Sequence, residues 1–368
     1  MLPLVLLTLL ALVPAAAQYV PPPGPIWKKS TAGFDRKKLQ VALAFARQNE
    51  GWWDFAKDQQ RVFGKPLGPV PASRAAANMI ILRDGLLVAE FGDTNAADPI
   101  YSAAKSFLSL VCGLATDRGL IGKPQDPVRL TVKDGGYDSP HNAKVTWEHH
   151  LRQTSEWDGT LWNRRHDFIG REEFGSAERK PRPLQEPGAY YEYNDVRVNR
   201  LSLSLLRLFQ EPLGDVLRKH IMDPIGASST WAWHGYRNSI VQIDGREIAS
   251  VPGGTRWGGG IWMSTRDLAR VGLLVMRNGD WNGRRILSEK WLSESIRSND
   301  KGPDYGYLWW LNTQGKQWPG APRSSFAAIG NGSNIVWIDR EHRLVVVWRW
   351  FEGKATADFL KLLLDSIQ

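Results

Sequence analysis

The hydrophobic positions of the chain form two patterns, short apolar runs near both ends and helical spacing between them. Residues 78–91 hold two such runs joined by Asp84-Gly85, and an Asp-Gly between apolar runs is typical of a β-hairpin. Three more runs near the end predict strands, and they read SFAAIG, NIVWID and RLVVVWRW. We therefore expect one sheet built from the two ends of the chain.

Apolar residues three and four apart predict helices along the rest of the chain. The predicted helices cover residues 35–49, 102–116, 196–210, 213–220, 266–277 and 355–366. Asp35 is a candidate N-cap of the first helix, and Gly119 ends the helix that begins at Ser102. The charged segment 163–183 lacks apolar periodicity, so we interpret it as a mobile loop.

These patterns predict an α+β fold, an antiparallel sheet flanked by helices with an inserted, mainly helical subdomain. We assign the sheet part to residues 71–100 and 251–368, and the helical part to residues 101–250. The junction of the two parts is the natural place for a cleft. Residues 18–70 form a Pro-rich arm and a helix ahead of this domain.

Residues 1–17 carry no charged side chain and end in Ala15-Ala16-Ala17. This pattern is typical of a signal peptide, so we expect a secreted or periplasmic protein. The net charge of +9 comes without zinc-finger spacing or a dense basic block, which argues against nucleic acid as a partner. Weak association with anionic cell-envelope surfaces fits the charge better. The single cysteine, Cys112, excludes an internal disulfide and is expected in the core.

Ser102-Ala103-Ala104-Lys105 places a serine and a lysine three residues apart at the start of an apolar helix. Such residues share one helix face, so Lys105 can reach the Ser102 hydroxyl. A partly desolvated lysine can accept a proton from serine, and a helix N-terminus favours developing negative charge. The alternative is that Ser102 only caps the helix. A second Ser-x-x-Lys, Ser298 to Lys301, lies in a polar stretch that predicts a loop.

The segment Pro187 to Asp195 has a Pro-Gly turn, an aromatic stretch and then a helix. It resembles the serine β-lactamase and penicillin-binding-protein family, which has Tyr-x-Asn about ninety residues after its Ser-x-x-Lys. Tyr193 lies 91 residues after Ser102. Asp195 stands where Asn is usual, so either Asn194 or Asp195 can fill the supporting polar role. An aspartate there would hold Lys105 charged more strongly. The alternative for Tyr193 is a packed core tyrosine.

Three further segments extend the resemblance over roughly residues 70–350, and we interpret them as structural. Thr146 to Trp162 resembles the family's T-x-x-x-L-L-x-x-T-S-G segment, with Glu156 in place of Gly. The others are Trp257 to Arg270, and Tyr305 to Trp310, which resembles Y-G-x-x-W-W. The resemblance implies the β-lactamase/transpeptidase-like fold.

The resemblance weakens on the strand that faces the serine in the family. Ala328 occupies the position of the usual Lys or His, and Gly330 remains, where the backbone can approach a substrate closely. By resemblance, the backbone N–H groups of Ser102 and Asn331 would form the oxyanion hole. Loss of the cationic group argues against an efficient β-lactamase and favours ester or amide hydrolysis, unless Arg323 supplies the charge.

The implied function is a secreted serine hydrolase acting on a small-molecule ester or amide, with Ser102 as nucleophile and Lys105 and Tyr193 as proton-transfer groups. No metal or organic cofactor is expected, and the adjacent His149 and His150 cannot share a helix face. Two alternatives stay open. One is a non-catalytic ligand-binding or penicillin-sensing protein on the same fold, and the other is a peptidoglycan-binding envelope protein.

Overall fold

The structure is a computed structural model that describes residues 19–58, 65–166, 182–254 and 257–368. The predicted signal peptide, residues 1–17, lies outside the described residues, and so does most of the charged segment 163–183. In the described part of the chain, no helix is both long enough and apolar enough to cross a membrane.

Strands occur at both ends of the described chain and, as short pieces, in its middle. They are β1 (Asn78–Arg83), β2 (Leu86–Phe91), β3 (Asp98–Pro99), β4 (Thr160–Leu161), β5 (Arg164–Arg165), β6 (Ala232–His234), β7 (Ile240–Ile243), β8 (Arg246–Ala249), β9 (Gly260–Met263), β10 (Asp280–Trp281), β11 (Arg284–Arg285), β12 (Trp310–Leu311), β13 (Phe326–Gly330), β14 (Asn334–Asp339) and β15 (Leu344–Arg349).

Six of these strands form one antiparallel sheet in the order β12-β13-β14-β15-β1-β2. The first strand pairs with the last, from Asn78 opposite Arg349 to Arg83 opposite Leu344. The β1–β2 turn places Asp84 at φ 54° and Gly85 at φ 83°, the left-handed pair that a two-residue hairpin requires. The predicted hairpin and the predicted sheet from both chain ends are confirmed.

Helices cover both faces of this sheet and build the middle of the molecule. They are α1 (Arg36–Gln48), α2 (Phe55–Asp58), α3 (Ala104–Asp117), α4 (Trp147–Leu151), α5 (Asp195–Phe209), α6 (Leu213–Leu217), α7 (Thr265–Met276), α8 (Glu289–Ser295) and α9 (Thr356–Leu364). Asp35 caps α1 by accepting from the backbone N–H groups of Lys37 and Lys38, as predicted.

Two hydrophobic cores lie on opposite faces of the sheet. One contains Leu43 of α1 and Phe359 of α9 together with Met79 and Val346 of the strands. The other contains side chains from α7 and α3 together with Ile80 and Val347. Neighbouring residues of β1 point to opposite faces and both are apolar, because both faces are covered. The helix α3, which begins beside Ser102, therefore rests on the second core.

The middle of the chain contains more strand than the sequence pattern predicted. The region 101–250, predicted as mainly helical, also holds the β4–β5 and β7–β8 hairpins. Within the predicted sheet part, β9 does not join the main sheet and pairs instead with β3 and β6. These strands are two to four residues long, too short for an alternating pattern to be visible in the sequence.

The N-terminal arm packs on α7, a contact that sequence reasoning did not foresee. The backbone oxygen of Pro21 accepts a hydrogen bond from Arg270 at 2.8 Å, and that of Pro25 accepts one from Arg266 at 3.0 Å. Both guanidinium groups lie over the ring of Trp27, at 4.7 and 5.0 Å from its centroid. The arm is thus part of the folded body.

Candidate active site

A tight turn at the start of α3 presents Ser102. The chain passes through a 3₁₀ turn, Tyr101–Ala103, before the helix begins. Tyr101 has φ 50°, in the left-handed region that costs a bulky residue free energy. Its side chain is buried, and its hydroxyl accepts a hydrogen bond from Trp53 Nε1 at 2.8 Å. This anchoring fixes the turn and leaves Ser102 half-buried at the helix N-terminus.

Strand β13 touches this turn through Gly330. A β-carbon at Gly330 would lie 2.0 Å from the Ile100 carbonyl oxygen and 3.1 Å from the Ala103 nitrogen. Only glycine permits this approach of strand backbone to turn backbone. Asn331, the predicted second donor of the oxyanion hole, directly follows Gly330 and is exposed. The structure therefore places Gly330 against the Ser102 turn and Asn331 at the next position of the chain.

Lys105 lies between Ser102 and Asp195. Its Nζ is 2.9 Å from Ser102 Oγ and 2.5 Å from Asp195 Oδ1. Both ends of the ion pair are buried, with side-chain exposures of 2% for Lys105 and 7% for Asp195. A buried ion pair keeps a fixed geometry because neither partner has water as an alternative.

The charge of Lys105 follows from its surroundings. Burial lowers its pKa, but the charge of Asp195 and the nearby Tyr193 outweigh burial, so the net pKa of Lys105 is raised. A lysine held as an ammonium donates to Ser102 Oγ and has no lone pair with which to accept a proton. The structure thus supports the expectation that Asp195 holds Lys105 charged, and it does not favour Lys105 as the acceptor of the serine proton.

Tyr193 borders the same group of side chains. Lys105 Nζ lies 4.7 Å from the centroid of its ring, within cation–π range. Trp310 stacks on the ring at 5.5 Å, and Tyr305 meets it edge-on at 6.1 Å. Gln153 in turn donates a hydrogen bond to the Tyr305 hydroxyl at 2.9 Å. Tyr193 is therefore both a packed aromatic residue and a neighbour of Lys105.

The structure distinguishes the two candidates for the polar position after Tyr193. Asn194 is the N-cap of α5, and its Oδ1 accepts from the backbone N–H of Arg197 at 3.0 Å. Its Nδ2 donates to the His166 carbonyl at 2.6 Å. Asp195 is the first residue of α5 and reaches Lys105. Of the two residues, Asp195 supports Lys105 and Asn194 supports the backbone.

The sequence model of the Beta-lactamase family matches residues 73–351. The chain belongs to this family. The match confirms the resemblance drawn from Ser102, Lys105 and Tyr193, and it spans the main sheet, the helical middle and the site.

Solved structures of other proteins show the same fold as this Beta-lactamase family member. A penicillin-binding protein homologue from Caulobacter crescentus is 13% identical, with 91% of this chain and 99% of that chain covered and a TM-score of 0.59. Simvastatin synthase from Aspergillus terreus is 14% identical, with 90% and 98% covered and a TM-score of 0.59. The octameric penicillin-binding protein homologue from Pyrococcus abyssi is 18% identical, with 90% and 78% covered and a TM-score of 0.55. No curated protein matches the chain in sequence.

Gly254 borders the site, and sequence reasoning missed it. A β-carbon on Gly254 would lie 3.3 Å from Lys105 Nζ and 3.5 Å from Ser102 Oγ. One at Gly253 would lie 2.4 Å from a methyl group of Val198. The Pro-Gly-Gly run that begins at Pro252 was the available signal, because consecutive glycines mark a close backbone approach. The glycine leaves room beside the hydroxyl of Ser102.

Ala328 provides no charge at the position where the family usually has Lys or His. Its side chain is 2% exposed and belongs to the same core cluster as Ile100 and Ala103, on the Ser102 side of the sheet. Arg323 is exposed and lies beside Gly315, with Nε 3.5 Å from the place of a β-carbon there. Strand β13 runs from Phe326 to Gly330, and Gly330 is the end that contacts the Ser102 turn. Arg323 comes before Phe326, so it lies near the opposite end of the strand. The observed contact of Arg323 is thus with the Gly315 turn.

The remaining sequence candidates lie in structural roles. Ser298 Oγ donates to the Pro303 carbonyl at 2.7 Å in a loop, and Lys301 pairs with Asp300 at 3.0 Å. Cys112 is buried in α3, as expected. Within the described ranges, no group of three or more His, Cys, Asp or Glu residues is arranged to hold a metal ion.

Proposed function

We propose that this member of the Beta-lactamase family is a serine hydrolase that cleaves an ester or amide through an acyl-enzyme on Ser102. The observation that carries the proposal is the continuous contact from Ser102 Oγ to Lys105 Nζ at 2.9 Å and on to Asp195 at 2.5 Å, with Tyr193 beside the lysine. A serine that only caps a helix needs no contact between its hydroxyl and a buried lysine ion pair.

In the proposed reaction, Ser102 Oγ attacks the substrate carbonyl carbon and loses its proton to the Tyr193 oxygen. The tyrosine's own proton passes to the leaving alcohol or amine as the bond to carbon breaks. Water then attacks the acyl-enzyme, and the same relay returns a proton to Ser102 Oγ. A positioned group of this kind contributes about 10²–10⁴-fold to the rate.

Lys105 acts in this scheme as a fixed positive charge. Its ammonium stabilises the negative charge that develops on the oxygens of Ser102 and Tyr193 while the proton moves between them. The N-terminus of α3 adds a favourable field in the same place. We assign the oxyanion of the tetrahedral intermediate to the backbone N–H groups of Ser102 and Asn331, supported by the contact of Gly330 with the Ser102 turn.

The charge balance favours a neutral substrate. Asp195 neutralises Lys105, and Ala328 supplies no cation on the strand side. A substrate carboxylate would give up strong hydration without a charge-assisted partner at this position. We therefore propose neutral esters or amides, rather than penicillins, as the substrate class.

A labelling experiment tests the proposal. A fluorophosphonate probe should modify the wild-type protein, and mass spectrometry should locate the added mass on the peptide that contains Ser102. Ser102→Ala is the matched control and should stay unlabelled. A folded wild-type protein that resists the probe, or that carries it on another serine such as Ser298, would contradict the proposal.

The second candidate function is a ligand-binding protein that is acylated without turning over, and the loss of the family's usual strand-side Lys or His at Ala328 favours it. Such a protein would acylate once and release its product extremely slowly. Burst kinetics with a p-nitrophenyl ester separate the two functions, since a hydrolase continues to turn over after the burst and a ligand-binding protein stops. Export through residues 1–17 and weak attraction to anionic envelope surfaces stay predictions.

A further inference from the structure

A cluster of two glutamates and two arginines lies beneath the segment that carries Tyr193. Arg182 donates two hydrogen bonds to the Glu156 carboxylate, at 2.6 and 2.7 Å. Arg197 of α5 donates to the same carboxylate at 2.6 Å and to Glu192 at 3.0 Å. Arg182 also reaches Glu192 at 3.2 Å. The cluster is balanced in charge and joins three separate stretches of chain.

Glu156 is the centre of this cluster, and its position is unusual in two ways. Its side chain is 0% exposed, where a carboxylate is costly unless it is fully paired. Its backbone has φ 48°, in the left-handed region that favours glycine. The backbone N–H of Gln185 completes its partners at 2.8 Å. Burial raises its pKa, but the bonds from Arg182 and Gln185 and the charge of Arg197 outweigh burial, so the pKa is lowered and the carboxylate stays ionised.

The cluster holds the residues on both sides of Tyr193. Glu192 precedes the tyrosine and is bound by both arginines. Asn194 follows it, donates to Glu192 at 3.2 Å, and accepts from the backbone of Arg197 at 3.0 Å. With both neighbours fixed, the backbone of Tyr193 has little freedom to shift its hydroxyl relative to Ser102 and Lys105.

We propose that Glu156 is a positioning residue for Tyr193 and that it acts through Arg182 and Arg197. The inference rests on the proposed function, because it concerns the rate at which Ser102 is acylated. A displacement of about 1 Å in a reacting group can cost about 10²-fold in rate, so a cluster that fixes the tyrosine acts on acylation without touching the substrate.

The test compares acylation rates of single variants at a temperature well below each midpoint of thermal unfolding. Glu156→Gln keeps the shape of the side chain and removes its charge, while Arg182→Gln removes one arm of the cluster and leaves the Arg197 contact. Glu148→Gln is the matched control, because Glu148 also pairs with an arginine, Arg152 at 2.8 Å, and accepts from Tyr307 at 2.8 Å. We expect acylation to fall at least tenfold in the two cluster variants, and less than twofold in the control.

A double-mutant cycle shows whether the effect passes through the tyrosine. In a Tyr193→Phe background, adding Glu156→Gln should change the acylation rate less than twofold, because the hydroxyl that the cluster positions is already gone. An effect that persists undiminished would make Glu156 a merely structural residue and overturn the inference. Cluster variants whose acylation rates equal that of Glu148→Gln would also overturn the inference. If Glu156→Gln does not fold, the acylation rate of Arg182→Gln alone decides. An unlabelled wild-type protein would instead overturn the proposed function.

Discussion

The helical side and the strand side of the Ser102 site differ in what they contribute. The helical side supplies the polar side chains of the candidate site, with Ser102 and Lys105 at the start of α3 and Asp195 at the start of α5. The strand side contributes small residues and main-chain atoms. Ala328 is buried, and the backbone of Gly330 contacts the Ser102 turn. In the proposed function, the groups that move protons therefore come from the helices, whereas the strand would set the space and the charge that a substrate meets.

The largest effect should come from the helical side, with Ser102→Ala. Removal of Oγ removes the nucleophile, so hydrolysis should fall to the background rate. The fold should survive, because alanine suits a helix start and Lys105 keeps Asp195 as its partner. Activity and thermal unfolding measured on both proteins check this. Turnover that persists in the variant would move the nucleophile elsewhere and remove the contrast between the two sides.

Tyr193→Phe should lower the acylation rate by at least about 100-fold, since it deletes the proton relay and keeps the ring. The stack on Trp310 and the contact with Tyr305 need only the ring, so stability should change little. Stopped-flow measurement of the acylation burst gives the rate. An unchanged burst would reduce Tyr193 to a packing residue.

Asp195→Asn tests whether Lys105 works as a cation. Without the Asp195 charge, burial dominates and the pKa of Lys105 should fall, so the ammonium is lost at lower pH than in the wild type. If the charged form is needed, the alkaline limb of kcat/KM should move to lower pH and activity should drop about ten- to hundredfold at pH 8.

The opposite result of this experiment is equally informative. A lysine that accepts the serine proton would work better once its pKa falls, so Asp195→Asn would raise the activity near neutral pH. Thermal unfolding must be followed as well, because breaking a buried ion pair costs about 3–5 kcal/mol of stability.

The smallest effect belongs to the strand side. Ala328→His adds an imidazole that, when protonated, can meet a substrate carboxylate. A charge-assisted hydrogen bond of about 1.5–3 kcal/mol should raise kcat/KM for a penicillin relative to a neutral ester by about tenfold or more. The site is buried, so stability should fall by about 1–3 kcal/mol from overpacking. Wild-type protein that already cleaves penicillins as well as neutral esters would contradict the inference from Ala328.

The sequence predicted the elements whose pattern is local. The hairpin at Asp84-Gly85 and the helix after Ser102 both follow from spacing within a few residues, and the structure has both. The sequence left open whether Asn194 or Asp195 supports Lys105. Adjacent residues of a helix point about 100° apart, so the answer depends on which residue caps the helix, and only the structure shows this. The Glu156 cluster could not be predicted, since Glu156 and Arg197 lie 41 positions apart and meet only after folding.

The pairing of the first sheet strand with the last also governs how the protein is made. Asn78 lies opposite Arg349, so the centre of the sheet cannot close until the 270 residues between them and Arg349 itself have left the ribosome. The backbone N–H of Asp35 likewise donates to the Ser366 carbonyl at 2.8 Å, which ties the start of α1 to the segment that follows α9. The main sheet therefore cannot form before β15 has been synthesised, and until then β1 lacks the partner on one of its two edges.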